Sequence, residues 1–165
     1  NADFYASLDG KYGVPAGVLI AIHGMETGFG GFMGDTNVVS ALMAQDVDVV
    51  AWLDTQPAES IWLTSITLFE TAFGLALLPA GKRRRALEAA FAELLTEDLG
   101  GRVAAFDAQA AQAASVLAAQ RRRAGRTVDM RDTQIAGIAI ARRASLATRN
   151  VRHFEGVPNL VNPWA

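Results

Sequence analysis

Four short runs rich in β-branched and aliphatic residues mark the chain: IWLTSIT at 61–67, RVAAF at 102–106, SLAT at 145–148 and NLVN at 159–162. Segments of helical spacing separate them. Short buried strands that alternate with helices imply βαβ units and a mainly parallel sheet covered by helices. The helices are expected at 38–45, 46–55, 68–78, 82–97, 107–124 and 132–143. Asp107 and Asp132 read as N-caps of the last two, and Gly125 stops the first of that pair. Crossovers between parallel strands are right-handed, and ligands sit beyond the carboxyl ends of such strands. The chemistry is therefore sought at the strand-to-helix junctions.

Composition narrows the class. With 165 residues, 51% of them hydrophobic and 19% charged, the chain has the core of one ordinary globular domain. Its formal net charge of −2 gives no global basic field for nucleic acid. Two local basic runs, Lys82 to Arg85 and Arg121 to Arg123 with Arg126 close by, read as solvated helix faces. The absence of cysteine excludes disulfides and thiolate-bound zinc and is compatible with a cytoplasmic location. No apolar run reaches membrane-spanning length, and residues 13–22 lack the basic flank of a signal peptide.

Residues 1–31 differ in texture. Phe4, Tyr5, Leu8 and Tyr12 have helical spacing, a second apolar helix is expected near 16–25, and the glycine-rich GFGGFMG follows at 28–34. Glycines this dense mark a boundary. The expected organisation is an N-terminal helical and glycine-rich appendage over 1–31 and an α/β domain over 32–165.

Three acids occupy the junctions. Asp35 follows a possible short strand, FMG. Glu70 lies inside the otherwise apolar LFETAFG. Asp132 opens the last helix. Each has a structural explanation when taken alone: a cap at 35, an exposed helix edge at 70, a cap at 132. Asp129, one turn before Asp132, reads as a loop or supporting residue. Together, carboxylates converging on one sheet edge repel and raise each other's pKa unless a cation neutralises them. Hard oxygen ligands of this kind suit Mg²⁺ or Mn²⁺.

These residues lie in DTNVVSAL (35–42), AWLDTQPAESIWLTSITLFETAFGLALLPAGKRR (51–84), RVAAFD (102–107), GRTVDMRDTQIAGIAIARRASLATRNVRHFEG (125–156) and LVNPW (160–164). In that order the stretches resemble the PIN-domain ribonucleases, in particular the VapC-type toxins of bacterial toxin–antitoxin pairs. The resemblance implies a three-layer α/β/α fold and metal-dependent hydrolysis of RNA phosphodiesters. It assigns the family's three acids to Asp35, Glu70 and Asp132 as holders of Mg²⁺ or Mn²⁺. The fourth position falls in TRNVRHF, where Asn150 and His153 stand in places that many relatives fill with an acid. Thr36 and Asn37 would orient Asp35 or a water. Arg149 or the 121–126 run would contact RNA phosphates. The resemblance further implies a homodimer and a cognate antitoxin partner, with helices in 38–55 and 68–97 as contact surfaces.

A second resemblance covers residues 5–42. YASLDGKYGVPAGVLIAIHGMETGFGGFMGDTNVVSAL is similar to the B-type lytic murein transglycosylases, whose general acid/base glutamate would fall on Glu26. FMGDTNVVSAL fits both patterns, so a fusion there would break neither. The leading expectation is the metal-dependent endoribonuclease, with residues 1–31 a non-catalytic appendage. Peptidoglycan cleavage through Glu26 and a catalytically weak scaffold that only binds antitoxin or RNA are the alternatives.

Overall fold

The computed structural model describes residues 18–20, 38–43 and 45–165. Among these, five strands form one sheet: β1 Val18–Ile20, β2 Ile61–Thr64, β3 Val103–Ala104, β4 Ser145–Ala147 and β5 Leu160–Val161. Their spatial order is β3-β2-β1-β4-β5, and every neighbouring pair is parallel. The described helices are α1 Val38–Met43, α2 Val47–Asp54, α3 Ser65–Leu77, α4 Lys82–Glu93, α5 Ala108–Arg123 and α6 Met130–Arg142. A π-helical turn, Leu94–Asp98, extends α4, and a 3₁₀ turn, Val151–Phe154, follows β4.

Strand β2 shows why the sheet carries helices on both faces. Successive strand side chains point to opposite sides. Trp62 joins a core with Leu146, Ile135, Ile138 and Phe154, built mainly from α5, α6 and β4. Its neighbours Ile61 and Leu63 join a second core with Val38, Val49, Phe91 and Leu99, built from α1, α2, α4 and the turn after it. A strand buried on both faces must be apolar throughout, and the parallel sheet sandwiched between two cores is the three-layer α/β/α architecture. Helices α5 and α6 pack closely because Gly137 faces Ala110 and Ala114, all without bulky side chains.

The structure revises several local expectations. The stretch near 16–25 reads as a helix, yet Val18–Ile20 is the middle strand, with Ile20 in register with Leu63 on one side and Ala147 on the other. A short apolar run carries no distinguishing periodicity. Two neighbouring strands, each offering an unpaired backbone edge, supply the missing preference. This strand lies within the segment expected to be an appendage. The strand expected over 61–67 ends at Thr64, because the Thr64 side chain accepts the Thr67 N–H at 3.0 Å and starts α3 immediately. The possible strand FMG at 32–34 lies outside the described residues.

Candidate active site

Direct passage from β2 into α3 sets the first acid. The buried residues of α3 are Thr67, Glu70, Thr71, Gly74 and Leu75, a stripe at helical spacing, so Glu70 faces inward and is not an exposed edge. It is 5% exposed. Glu70 Oε1 lies 3.2 Å from Arg131 Nη1. Glu70 Oε2 is buried and has no hydrogen-bond partner among the described residues. Burial pushes the carboxyl above its ordinary range; the Arg131 contact opposes that, and the nearby charges of Asp132 and Asp129 reinforce it.

The start of α6 sets the second acid. Asp132 is not the N-cap. That role belongs to Asp129, whose Oδ1 accepts the N–H groups of Arg131 at 2.9 Å and Asp132 at 3.0 Å. With the cap supplied three residues earlier, the Asp132 carboxylate is released from capping. It is 3% exposed and lies, through Oδ2, 3.0 Å from His153 Nδ1.

His153 is held by its turn. Phe154 is fully buried in the core next to it. Arg121, at the end of α5, donates to the carbonyls of His153 at 2.9 Å and Glu155 at 3.1 Å. Arg121 is buried, unlike the solvated face expected for the 121–123 run; burial lowers the pKa of its guanidinium, and the charge of Asp132 opposes that. Arg126 forms an ion pair with Glu155 beside it. These groups border a cleft of about 480 Å³ whose lining mixes the acids Asp129, Asp132 and Glu155 with Arg121, Arg126 and Arg152.

Not every residue singled out from sequence joins this group. Asp35, Thr36, Asn37 and Glu26 lie outside the described residues. Asn150 contributes through its backbone: its N–H donates to Thr148 Oγ1 at 3.2 Å, and its carbonyl accepts the His153 N–H at 3.2 Å. The Arg149 guanidinium lies over the Trp164 ring, 5.3 Å from its centre. Arg131, the partner of Glu70, and Arg121, the donor to the turn that carries His153, are positions to which the sequence reading assigns no such part. A signal existed for Arg121, which continues the buried stripe Ala110, Ala114, Leu117 at helical spacing. None existed for Arg131, whose partner is 61 residues away.

Among the described residues, no group of three or more acidic or histidine side chains is gathered closely enough to hold a metal ion. What they offer is two buried carboxylates close enough to sense each other's charge, one with an orphaned oxygen. Such hard oxygen donors fit Mg²⁺ or Mn²⁺. No described helix is long and apolar enough to cross a membrane.

A parallel three-layer sheet with paired acids after β2 and at the start of α6 agrees with what comparison finds. The PIN domain family model matches residues 33–160, and this chain belongs to that family. Within it, the chain groups with VapC-type toxins. It is 38% identical over 133 residues to VapC ribonuclease Y4jK of Sinorhizobium fredii, covering 79% of this chain and 95% of that protein. It is 31% identical over 133 residues to Toxin FitB of Neisseria gonorrhoeae, covering 79% and 96%. The solved structure of FitAB bound to an IR36 DNA fragment superposes with a TM-score of 0.72 at 27% identity, over 90% of this chain and 96% of that one. The model of the transglycosylase SLT domain matches residues 1–56.

Proposed function

We propose that this chain is a divalent-metal-dependent endoribonuclease toxin, active in the cytoplasm and neutralised by a cognate antitoxin. The observation that carries the reading is the pairing of buried Glu70 and Asp132, with Glu70 Oε2 left without a partner among the described residues. A buried carboxylate oxygen without a partner is costly, and a bound cation removes that cost. Glu70 and Asp132 would hold Mg²⁺ or Mn²⁺, joined by Asp35 on the strength of the family resemblance. When bound, such an ion lowers the pKa of a water and offsets charge on phosphate oxygens.

The chain's own groups have separate tasks in this reading. Asp129 fixes the first turn of α6 and so the direction of Asp132. His153 holds the Asp132 carboxylate in one orientation. Arg126 and Arg152 border the cleft and offer positive charge to RNA phosphates. Thr36 and Asn37 orient Asp35, Asn150 shapes the turn that carries His153, and Arg149 supplies further phosphate contact. Phe69, Phe73 and Leu77 are exposed on one side of α3, the two phenyl rings stacked at 5.8 Å, and form the surface we assign to a protein partner, antitoxin or second copy. Residues 32–165 are taken as the PIN domain, with β1 contributed by the preceding segment.

The test is cleavage of structured RNA by the purified chain, with Mg²⁺ and with EDTA, beside Asp132→Asn and Glu70→Gln. Each substitution is expected to lower the rate by at least about a hundredfold, since a displaced metal ligand removes several kcal/mol of transition-state stabilisation. Cleavage that persists in EDTA, or in both variants, refutes the reading. The transglycosylase match favours one further assay: lysis of murein in a gel by the chain and by Glu26→Gln.

A further inference from the structure

Glu70 and Arg131 are unequal partners. The acid is buried, whereas the side chain of Arg131 is 46% exposed. The arginine reaches the carboxylate from the first turn of α6, one residue before Asp132, and touches it through Nη1 at 3.2 Å. The carboxylate is fixed by the packing of α3, while the cation stands on a flexible stem at the edge of solvent. The half-exposed guanidinium regains water when it leaves, whereas the buried carboxylate cannot, so the pair gives way only when another cation takes the arginine's place. A divalent ion bound at Oε2 would stand close to the guanidinium bound at Oε1 of the same carboxylate, and the two positive charges repel.

We propose that Arg131 is a resident counter-cation of the acidic site, which neutralises Glu70 through Oε1 when no metal is bound and is driven away when a divalent ion takes the free Oε2 beside it. Arg131 thereby sets the metal affinity of the site below what the carboxylates alone would give. The same contact stabilises the metal-free fold by keeping a buried charge paired. Linkage makes the two effects reciprocal: what metal binding loses to displacement, the metal-free protein gains in stability. The inference rests on the metal-site reading of Glu70 and Asp132.

The test is calorimetric titration of Mn²⁺ into the full chain, with Arg131→Gln, Arg131→Lys and Arg126→Gln alongside. Arg126→Gln removes a nearby positive charge that is paired with Glu155 and not with Glu70. Arg131→Gln is expected to bind Mn²⁺ at least about fivefold more tightly than the unaltered chain, the lower end of ordinary site-to-site coupling. Arg131→Lys is expected to stay close to the unaltered chain. Without metal, Arg131→Gln is expected to melt at a lower temperature and to gain more from saturating Mn²⁺. Equal or weaker binding by Arg131→Gln overturns the proposal and leaves the metal site standing. Equal tightening by Arg126→Gln also overturns it, because the general field would then explain the gain. No saturable binding in any of the four proteins overturns the metal-site reading, and this proposal with it.

Discussion

Replacing Gly137 by alanine tests the packing that delivers Asp132 to the site. Gly137 lies in α6, five residues beyond Asp132, against α5. A Cβ built there would overlap the carbonyl oxygen of Ala110 and lie 2.6 Å from Ala114 Cβ and 3.0 Å from Ala114 N. Ordinary carbon contacts need about 3.5–4.0 Å, so the nearest atoms must retreat by roughly 1 Å. Every obstructing atom is backbone or Cβ, and no rotamer change relieves the clash. The helices themselves must separate. Overpacking of a well-filled core costs about 1–3 kcal/mol, and rigid obstacles place this site at or above the upper end. Alanine recovers about 1 kcal/mol of helix propensity over glycine. The net loss is therefore about 2 kcal/mol. For a chain of this size that lowers the melting temperature by roughly 4–8 °C. Scanning calorimetry of the two proteins measures it directly. Adding Ala114→Gly is expected to return part of the loss, since the two positions share one contact. A melting temperature within about 1 °C of the unaltered chain would refute this account of the α5–α6 packing.

Two further outcomes follow from the site. The folded-state pKa of Glu70 is raised, so folding favours its protonated form; the resulting penalty is absent below the ordinary carboxylate range of about pH 4 and complete above the raised value. In metal-free buffer, Glu70→Gln is therefore expected to be more stable than the unaltered chain to urea at neutral pH, with the difference vanishing at acid pH; a variant equally destabilised at both would contradict the assignment. Arg121→Met keeps the buried stem but leaves the carbonyls of His153 and Glu155 without their donor, at a cost of about 2–4 kcal/mol in denaturant midpoint titrations, and Arg121→Lys is expected to recover part of it. A loss below about 0.5 kcal/mol for Arg121→Met would show that the turn carrying His153 does not depend on this clamp.

What was readable in the sequence follows the range of the forces involved. The helices from residue 38 onward declare themselves because each buries one face and its own spacing records which one, and β2 declares itself as a β-branched, aromatic run after Pro57; Asp107 caps α5 as its position suggests. Strand β1 does not declare itself, because Val18–Ile20 is uniformly apolar and its conformation is decided by β2 and β4 on either side. The acids divide in the same way. Glu70 is conspicuous as a carboxylate in an apolar run, which demands a partner, yet the identity of that partner depends on how α6 docks against α3. Asp132 looks like a cap until Asp129 is seen to open the helix three residues earlier, accepting the N–H groups of Arg131 and of Asp132 itself. Once it is relieved of that duty, a buried acid has only electrostatic work left, and its position beside His153 at the edge of a cleft lined by both arginines and acids is intelligible as chemistry and not as helix architecture. A local pattern thus shows that a charge is out of place. The tertiary fold decides which opposite charge answers it, and in the metal-free protein the answer for Glu70 is an arginine that an ion can replace.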